Sequence, residues 1–307
     1  MDFNSVLPHF LYYVFESGLK PMLFGQKLGN TMPYIKKGMI TDFPVPLPPL
    51  KEQKRIVEAL DEAFEGLARA RANAEANLQN ARDLFESYAA AQFEALTGDQ
   101  STLLSTVTDL ALPDKGAVRT GPFGSQLLHS EFVDEGIAVL GIDNAVANKF
   151  RWGKSRFITD EKYQQLKRYR VRPGDVIITI MGTCGRCAVV PDDIPLAINT
   201  KHLCCISLDQ NKCLPDYMHQ YFLFSPAARS YLSAQASGSV MDGLNMGIIK
   251  EMPVEVPSID RQKAVVTNIA ELEIATAALH SKYKSNLQDI HDLRQSLLQK
   301  AFAGELT

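Results

Sequence analysis

Residues 43–57 read FPVPLPPLKEQKRIV, and residues 252–266 read MPVEVPSIDRQKAVV. Aligned at an offset of 209 residues, Pro44 falls on Pro253, Pro48 on Pro257, Gln53 on Gln262 and Val57 on Val266. The same offset carries Asn77, Leu78 and Gln79 onto Asn286, Leu287 and Gln288. It then carries Leu84 onto Leu293, Ser87 onto Ser296 and Phe93 onto Phe302. Upstream, LPHFLYYVF from Leu7 matches LPDYMHQYF from Leu214 once two residues of slippage are allowed. Two generic amphipathic helices would not share these prolines and the Asn-Leu-Gln string. The chain therefore carries one unit twice, over residues 7–97 and 214–306.

Each unit leads into a long helix. The prolines forbid helix before it and hold the approach extended. About 45 residues follow with no proline and almost no glycine. In the first, Val57, Leu60, Phe64, Leu67, Ala74, Leu78, Ala81, Phe85 and Tyr88 recur at alternating steps of three and four, broken at Arg71. The second has Val265, Ile269, Leu272, Thr276, Leu279, Tyr283, Ile290, Leu293 and Leu297, broken at Asn286. This is the spacing of a coiled-coil seam, on helices roughly 65 Å long at 1.5 Å per residue. Two such helices flanking a globular segment are expected to pair with each other, antiparallel, in preference to helices of another chain. Gln53 and Gln262 open equivalent helices, either as tethers or as partners for first-turn amides.

The intervening residues 103–257 read as α+β. Strand candidates are GIAVLGIDNA, VIITIMG, RCAVV and LCCISL; helix candidates are DEKYQQLKRY and LPDYMHQYFLFSPAARSYLSAQA. Asp175, in RPGDVIITI, is expected to cap a turn before a buried strand. From Lys149 to Arg172 the chain carries Lys149, Arg151, Lys154, Arg156, Lys162, Lys167, Arg168, Arg170 and Arg172 against only Asp160 and Glu161. Trp152, the single tryptophan, sits inside this tract, and cations interleaved with aromatics suit a phosphate-tracking surface. A solvated helix face plus an ordinary loop is the plainer reading of the same charges. In RTGPFGSQLL, Gly121 and Gly124 flank Pro122 and Phe123 ahead of a predicted helix. The turn either offers backbone amides to a phosphate, with Arg119 and Ser125 beside them, or is a tight turn anchored by a buried Phe123.

The 307 residues carry a formal net charge of -3, so a polyanion-binding surface must be local. The N-terminus lacks the pattern of a signal peptide, and no apolar run approaches the roughly 20 residues a bilayer requires; a cytoplasmic location is expected. Five cysteines, an odd number, argue against a disulfide framework. Cys184-x-x-Cys187 has no second ligand pair, so it reads as buried strand rather than zinc site. Phosphate-binding Gly-rich loops of the G-x-x-x-x-G-K-[ST] form, nucleophile elbows and H-E-x-x-H helices are all missing from the sequence, and no cofactor is expected.

The strings GPFGSQLL, GIAVLGIDNA, RYRVRPGDVIITIMGTCGRCAVV, AINTKHLCCISL, SGSVMDGLNMGIIKEMPVEVPSIDRQKAVV and SLLQKAFAGEL, in this order, resemble the DNA-specificity subunit of type I restriction–modification systems. PVPLPPLKEQKRIV is among the most specific marks of that family. The resemblance implies a C-terminal remnant of a first target recognition domain over residues 1–48 and a first spacer helix over 49–101. A complete target recognition domain over 102–257 and a second spacer helix over 258–307 would follow. It implies a non-catalytic subunit that reads double-stranded DNA and docks adenine methyltransferase and restriction/translocase subunits. Counterparts of GPFGSQLL and RPGDVIITIMG are missing from the first unit, so a second specificity chain or copy would complete a split site; the alternative is a scaffold or decoy without productive readout. Phosphate contacts are expected from Lys149, Arg151, Lys154, Arg156, Arg168 and Arg170. Base-edge contacts are expected from Gln126, Asn144, Arg186 and Asn199. Arg119, Ser125 and Trp152 complete the expected DNA-binding set.

Overall fold

Pro8 opens the first helix, α1 (Pro8–Val14), where its missing N–H costs nothing. The chain continues through a π-helical turn, Phe15–Leu19, into α2 (Lys20–Gly25), and then α3 (Lys37–Thr41). Residues 44–49, outside any helix or strand, lead into α4 (Leu50–Glu94). These elements come from a computed structural model that describes residues 5–25, 36–236 and 243–305. Residues 237–242 of the SGSVMDGLN motif lie outside the described residues.

After α4 come β1 (Leu103–Thr106), α5 (Val107–Leu110), β2 (Val118–Thr120), β3 (Ile137–Leu140) and β4 (Phe157–Ile158). Next are α6 (Asp160–Leu166), β5 (Arg170–Val171), β6 (Val176–Thr179), β7 (Cys187–Val189), β8 (Ala197–Asn199) and β9 (Leu203–Ile206). The chain closes with α7 (Pro215–Phe224), α8 (Pro226–Ala236), α9 (Met246–Glu251), β10 (Pro253–Val256) and α10 (Ile259–Ala303). This is the expected α+β class. One sheet, ordered β2-β9-β6-β7, is antiparallel throughout; a second, β4-β3-β8-β5, has β3 and β8 parallel at its centre. β1 and β10 form an antiparallel pair where the long helices leave and re-enter. No described helix is long and apolar enough to cross a membrane.

The long helices run antiparallel, as expected. Two compact units result, Met1–Asp83 with Ala275–Thr307, and Leu84–Ile274. In the first, Ile56 and Leu60 of α4 pack with Leu298 and Ala301 of α10, and Phe10 of α1 meets Phe302 edge-on at 5.5 Å. In the second, Val265 and Ile269 of α10 pack with Ala89 and Phe93 of α4, and Tyr221 and Tyr217 of α7 meet Phe93 at 5.6 and 5.7 Å. Phe10 corresponds to Tyr217, and Phe93 to Phe302. The end of each repeat's helix thus closes the other repeat's joint.

The seam departs from the apolar pattern at three places. Tyr88, Leu279 and Leu293 are exposed. The helix face turns instead through Ala89, His280 and Arg294. His280 Nε2 meets the Arg82 guanidinium at 2.9 Å, and Arg294 stacks over the Phe64 ring at 4.7 Å while pairing with Glu16. At His280 and Arg294 a count of apolar residues steps past a polar seam position to its exposed neighbour, and at Ala89 it takes the larger Tyr88 instead.

Gln53 and Gln262 are tethers, and both are fully buried. Gln53 Oε1 accepts the Leu7 amide at 2.8 Å, and its Nε2 donates to the carbonyls of Ser5 and Pro48 at 2.9 and 2.8 Å. Gln262 repeats the set: Oε1 accepts from Leu214 N at 2.9 Å, and Nε2 donates to Lys212 O and Pro257 O at 2.9 and 3.0 Å. Replacing either glutamine with alanine strands one amide and two carbonyls. Each change should cost about 2–4 kcal/mol, taking 1–3 kcal/mol per stranded group with partial rehydration. Hydrogen exchange checks the location: Gln53→Ala should loosen α1 and leave β6 and β9 protected.

Candidate nucleic-acid interface

The second unit is organised around a buried ion pair. Arg119 on β2 and Asp175 just before β6 are both buried, with Nη2 and Oδ2 2.7 Å apart. Arg119 Nη1 also donates to Ser207 Oγ (2.9 Å) and to the carbonyls of Ala117 and Gly116, and Nη2 reaches the Arg170 carbonyl. Asp175 accepts from Ser207 Oγ (2.6 Å), Cys205 Sγ (3.1 Å) and the Arg172 amide (2.8 Å). That last bond is the turn cap expected of Asp175. Arg119 is buried, with both terminal nitrogens bonded within the fold at the wall of the cleft it lines, so the DNA contact expected of it is corrected to a structural role. Burial pushes the thiols of Cys204 and Cys213 up to about 12 and lifts those of Cys187 and Cys205 as well, as suits core side chains.

Two expected base readers are also inside. Asn144 is buried; its Oδ1 accepts the Gly141 amide at 2.8 Å and its Nδ2 donates to Arg151 O at 2.9 Å. Asn199 is buried on β8, and its Nδ2 donates to Leu203 O at 2.9 Å. Both side chains are buried and bonded to loop backbone, a structural role that displaces the exposed base-reading position expected of them.

The loop over residues 141–156 carries Lys149, Arg151, Trp152 and Lys154 outward. Asp143 sits at its centre, accepting from the Lys154 amide at 2.6 Å and pairing with the half-buried Arg156 guanidinium. The hydrogen bonds and nearby positive charge at Asp143 outweigh its burial and hold its carboxyl below the usual range. Asn148, the one described non-glycine with positive φ (57°), pins the loop: its carbonyl lies 2.9 Å from His219 Nε2, and its Oδ1 accepts the Cys187 amide at 3.4 Å. His219 Nε2 also faces the Cys187 carbonyl at 3.2 Å; both partners are acceptors, so Nε2 bears the proton. Burial, the largest influence, depresses the His219 pKa. Lys149 pairs with Glu273 of α10 at 2.6 Å, and Trp152 is 59% exposed against Phe150.

The GPFG turn lies between this loop and a second cationic surface. Gly121 passes so close to the Asn199 carbonyl that a Cβ there would lie 2.0 Å from it. Phe123 is exposed, not the buried anchor of the alternative reading, and two short 3-10 turns, Gly124–Gln126 and His129–Glu131, follow in place of the predicted helix. Ser125 and Gln126 are exposed, and Gln126 Oε1 accepts from Tyr169 Oη (2.7 Å) and Arg168 Nη2 (3.1 Å). Beside that contact Lys115, Lys167, Arg168, Arg170 and Arg172 line a cleft of about 340 Å³. On its other side the turn joins Arg156, Lys201 and His202 around a cavity of about 520 Å³. Arg186 is exposed in the β6–β7 turn. Lys115, Lys201 and His202 are absent from the expected set because each lies outside the dense basic tract.

A family model described as the type I restriction modification DNA specificity domain matches residues 2–76 and 135–288. The chain belongs to this family. Specificity subunits of Escherichia coli restriction enzymes are among its relatives. The EcoBI subunit is 26% identical over 292 residues, covering 90% of this chain and 61% of the relative. The EcoKI subunit is 23% identical over 328 residues, covering 99% and 66%. This chain thus spans less than two thirds of either relative. Among solved structures, a chain from a study of type I R-M complex assembly and conformational transition aligns with TM-score 0.79 at 18% identity, covering 99% of this chain and 73% of that one. The HsdS subunit of Thermoanaerobacter tengcongensis aligns with TM-score 0.59 at 17% identity, covering 99% and 72%. The fold of this specificity-family chain is therefore that of the solved subunits.

Arg119→Met should destabilise the chain by about 3–5 kcal/mol, because it leaves Asp175 charged, buried and unpaired; adding Asp175→Asn should recover part of the loss in urea titrations. The depressed pKa of His219 sets a pH dependence. The unfolded chain takes up the proton near pH 6.5 and the folded chain only below it, so acid favours unfolding. Stability should therefore fall as pH drops from about 6.5 to 5, and His219→Gln should flatten that fall.

Proposed function

We propose that residues 102–257 form a target recognition domain that reads duplex DNA, and that the chain contributes sequence recognition to a methyltransferase–nuclease complex without performing its chemistry. The observation that carries this reading is the GPFG turn, which touches both cationic surfaces. Gln126 reaches Arg168 on one side, and Gly124 shares a cavity with Arg156 and Lys201 on the other. Phosphates would be met by Arg151, Lys154, Arg168 and Arg170, joined by Lys115, Lys167, Arg172 and Lys201. Lys149 would exchange Glu273 for a phosphate, and Arg156 would hold the loop through Asp143. Ser125, Gln126 and Arg186 are the exposed groups with directional hydrogen bonds for base edges, with Trp152 as an exposed flat surface beside them. Residues 1–48 would be the end of a first recognition domain, and the paired helices 49–101 and 258–307 the spacer on which methyltransferase and restriction/translocase subunits dock. Membership of the specificity family supports these assignments.

Replacing Arg151 and Lys154 together with alanine should weaken binding to all duplexes alike. It should also reduce the slope of log affinity against log salt by about one unit per lost contact. Gln126→Ala should instead change the preferred sequence more than the salt slope. Filter-binding titrations on a randomised duplex pool separate the two effects, and an unchanged slope in the double variant would reject the loop as a phosphate surface.

A further inference from the structure

The two repeats bury the same residues to different degrees. In the second unit Ile249, Met252 and Val254 are fully buried and Val256 is 8% exposed. Their counterparts in the first unit are Ile40, Phe43, Val45 and Leu47. Ile40 is 45% exposed and Leu47 61%, while Phe43 and Val45 are half-buried.

The difference lies in what covers them. In the second unit the cover is β1 followed by α5. β1 pairs antiparallel with β10, Ser105 opposite Val254 and Leu103 opposite Val256. Val107 N continues the ladder to Met252 O at 3.2 Å, and Thr108 Oγ1 donates to Lys250 O at 3.0 Å. Thr106 and Asp109 form a capping box, which sets Val107 and Leu110 into the core. Ladder bonds alternate along an antiparallel pair. The Val107–Met252 bond therefore puts the inter-strand bonds on Val254 and Val256. Pro253 and Glu255 face away, their carbonyls accepting from Tyr221 and Tyr217.

The same arithmetic applies to residues 44–47. Val45 and Leu47 would bear the ladder bonds, and among the described residues neither has a backbone partner. Pro44 and Pro46 fall where no N–H is required. The two prolines thus leave this edge competent to pair, although proline elsewhere in a strand blocks pairing.

We propose that Ile40, Phe43 and residues 44–47 form a docking edge for a strand–turn–helix segment of another polypeptide with the chemistry of residues 103–110. That chemistry is four extended residues ending in threonine, an aspartate three positions later to close the capping box, and apolar side chains one and four positions after the threonine. The strand supplies main-chain bonds and the apolar pair covers Ile40 and Phe43. A second copy of this chain is disfavoured as the occupant, because its own residues 103–110 are committed to its second unit. The proposal rests on the repeat and stands apart from the DNA reading.

The test uses the full chain with Val45→Cys and a peptide of residues 102–112 carrying Ser105→Cys, the partner dictated by the β1–β10 register. In a thiol–disulfide buffer the cross-link should form about tenfold faster than with the same peptide also carrying Val107→Asp and Leu110→Asp. Equal rates overturn the proposal. On the unsubstituted chain, the unsubstituted peptide should slow amide exchange at Val45 and Leu47 about tenfold. Unchanged exchange overturns it, and so does protection that rises with chain concentration alone, which would make a second copy the occupant.

Discussion

A buried glutamine holds each joint of this protein together. A primary amide offers an acceptor and two donors from one planar group. Gln53 and Gln262 use all three, on an amide and two carbonyls that flank a proline-bounded turn. Those backbone groups have no ladder or helix to join, because the prolines interrupt both. The glutamine supplies what regular structure cannot, and it fixes the start of a 45-residue helix against the short helix before it. A long helix magnifies any error at its root, so the position of everything it carries depends on this clamp.

In the second unit a comparable economy holds the exposed cationic loops. Arg119, Asp175 and Ser207 tie the edge of one sheet to the turn before β6, and Asn144, Asn148 and His219 tie the 141–156 loop to its surroundings. Each of these groups is bonded within the fold. Their effect is to leave Arg151, Trp152 and Lys154 on a braced loop, so less ordering remains to oppose binding.

The site was only partly legible in the sequence. The basic tract of residues 149–172 indicated where cations cluster, and those of Arg151, Lys154, Arg168 and Arg170 are exposed in the fold. Arg119, Asn144 and Asn199 looked equally suited to DNA, since polar residues in loops serve ligands and loop backbones alike. Burial separates the two uses, and burial belongs to the whole fold. Lys115, Lys201 and His202 carried no local signal, because strand pairing alone brings them beside the tract.

The sequence by itself determined the duplication, the α+β class, the two long helices and the family, because prolines, heptads and repeated strings act over neighbouring residues. The tertiary structure decided which polar side chains face inward and where the helix seam turns polar. It also decided that one repeat has a covered edge and the other, among the described residues, an open one. Ile40 and Ile249 stand at equivalent places, yet one is exposed and the other buried. The residue is the same; what differs is the strand that another part of the chain brings over it, and no local pattern encodes that.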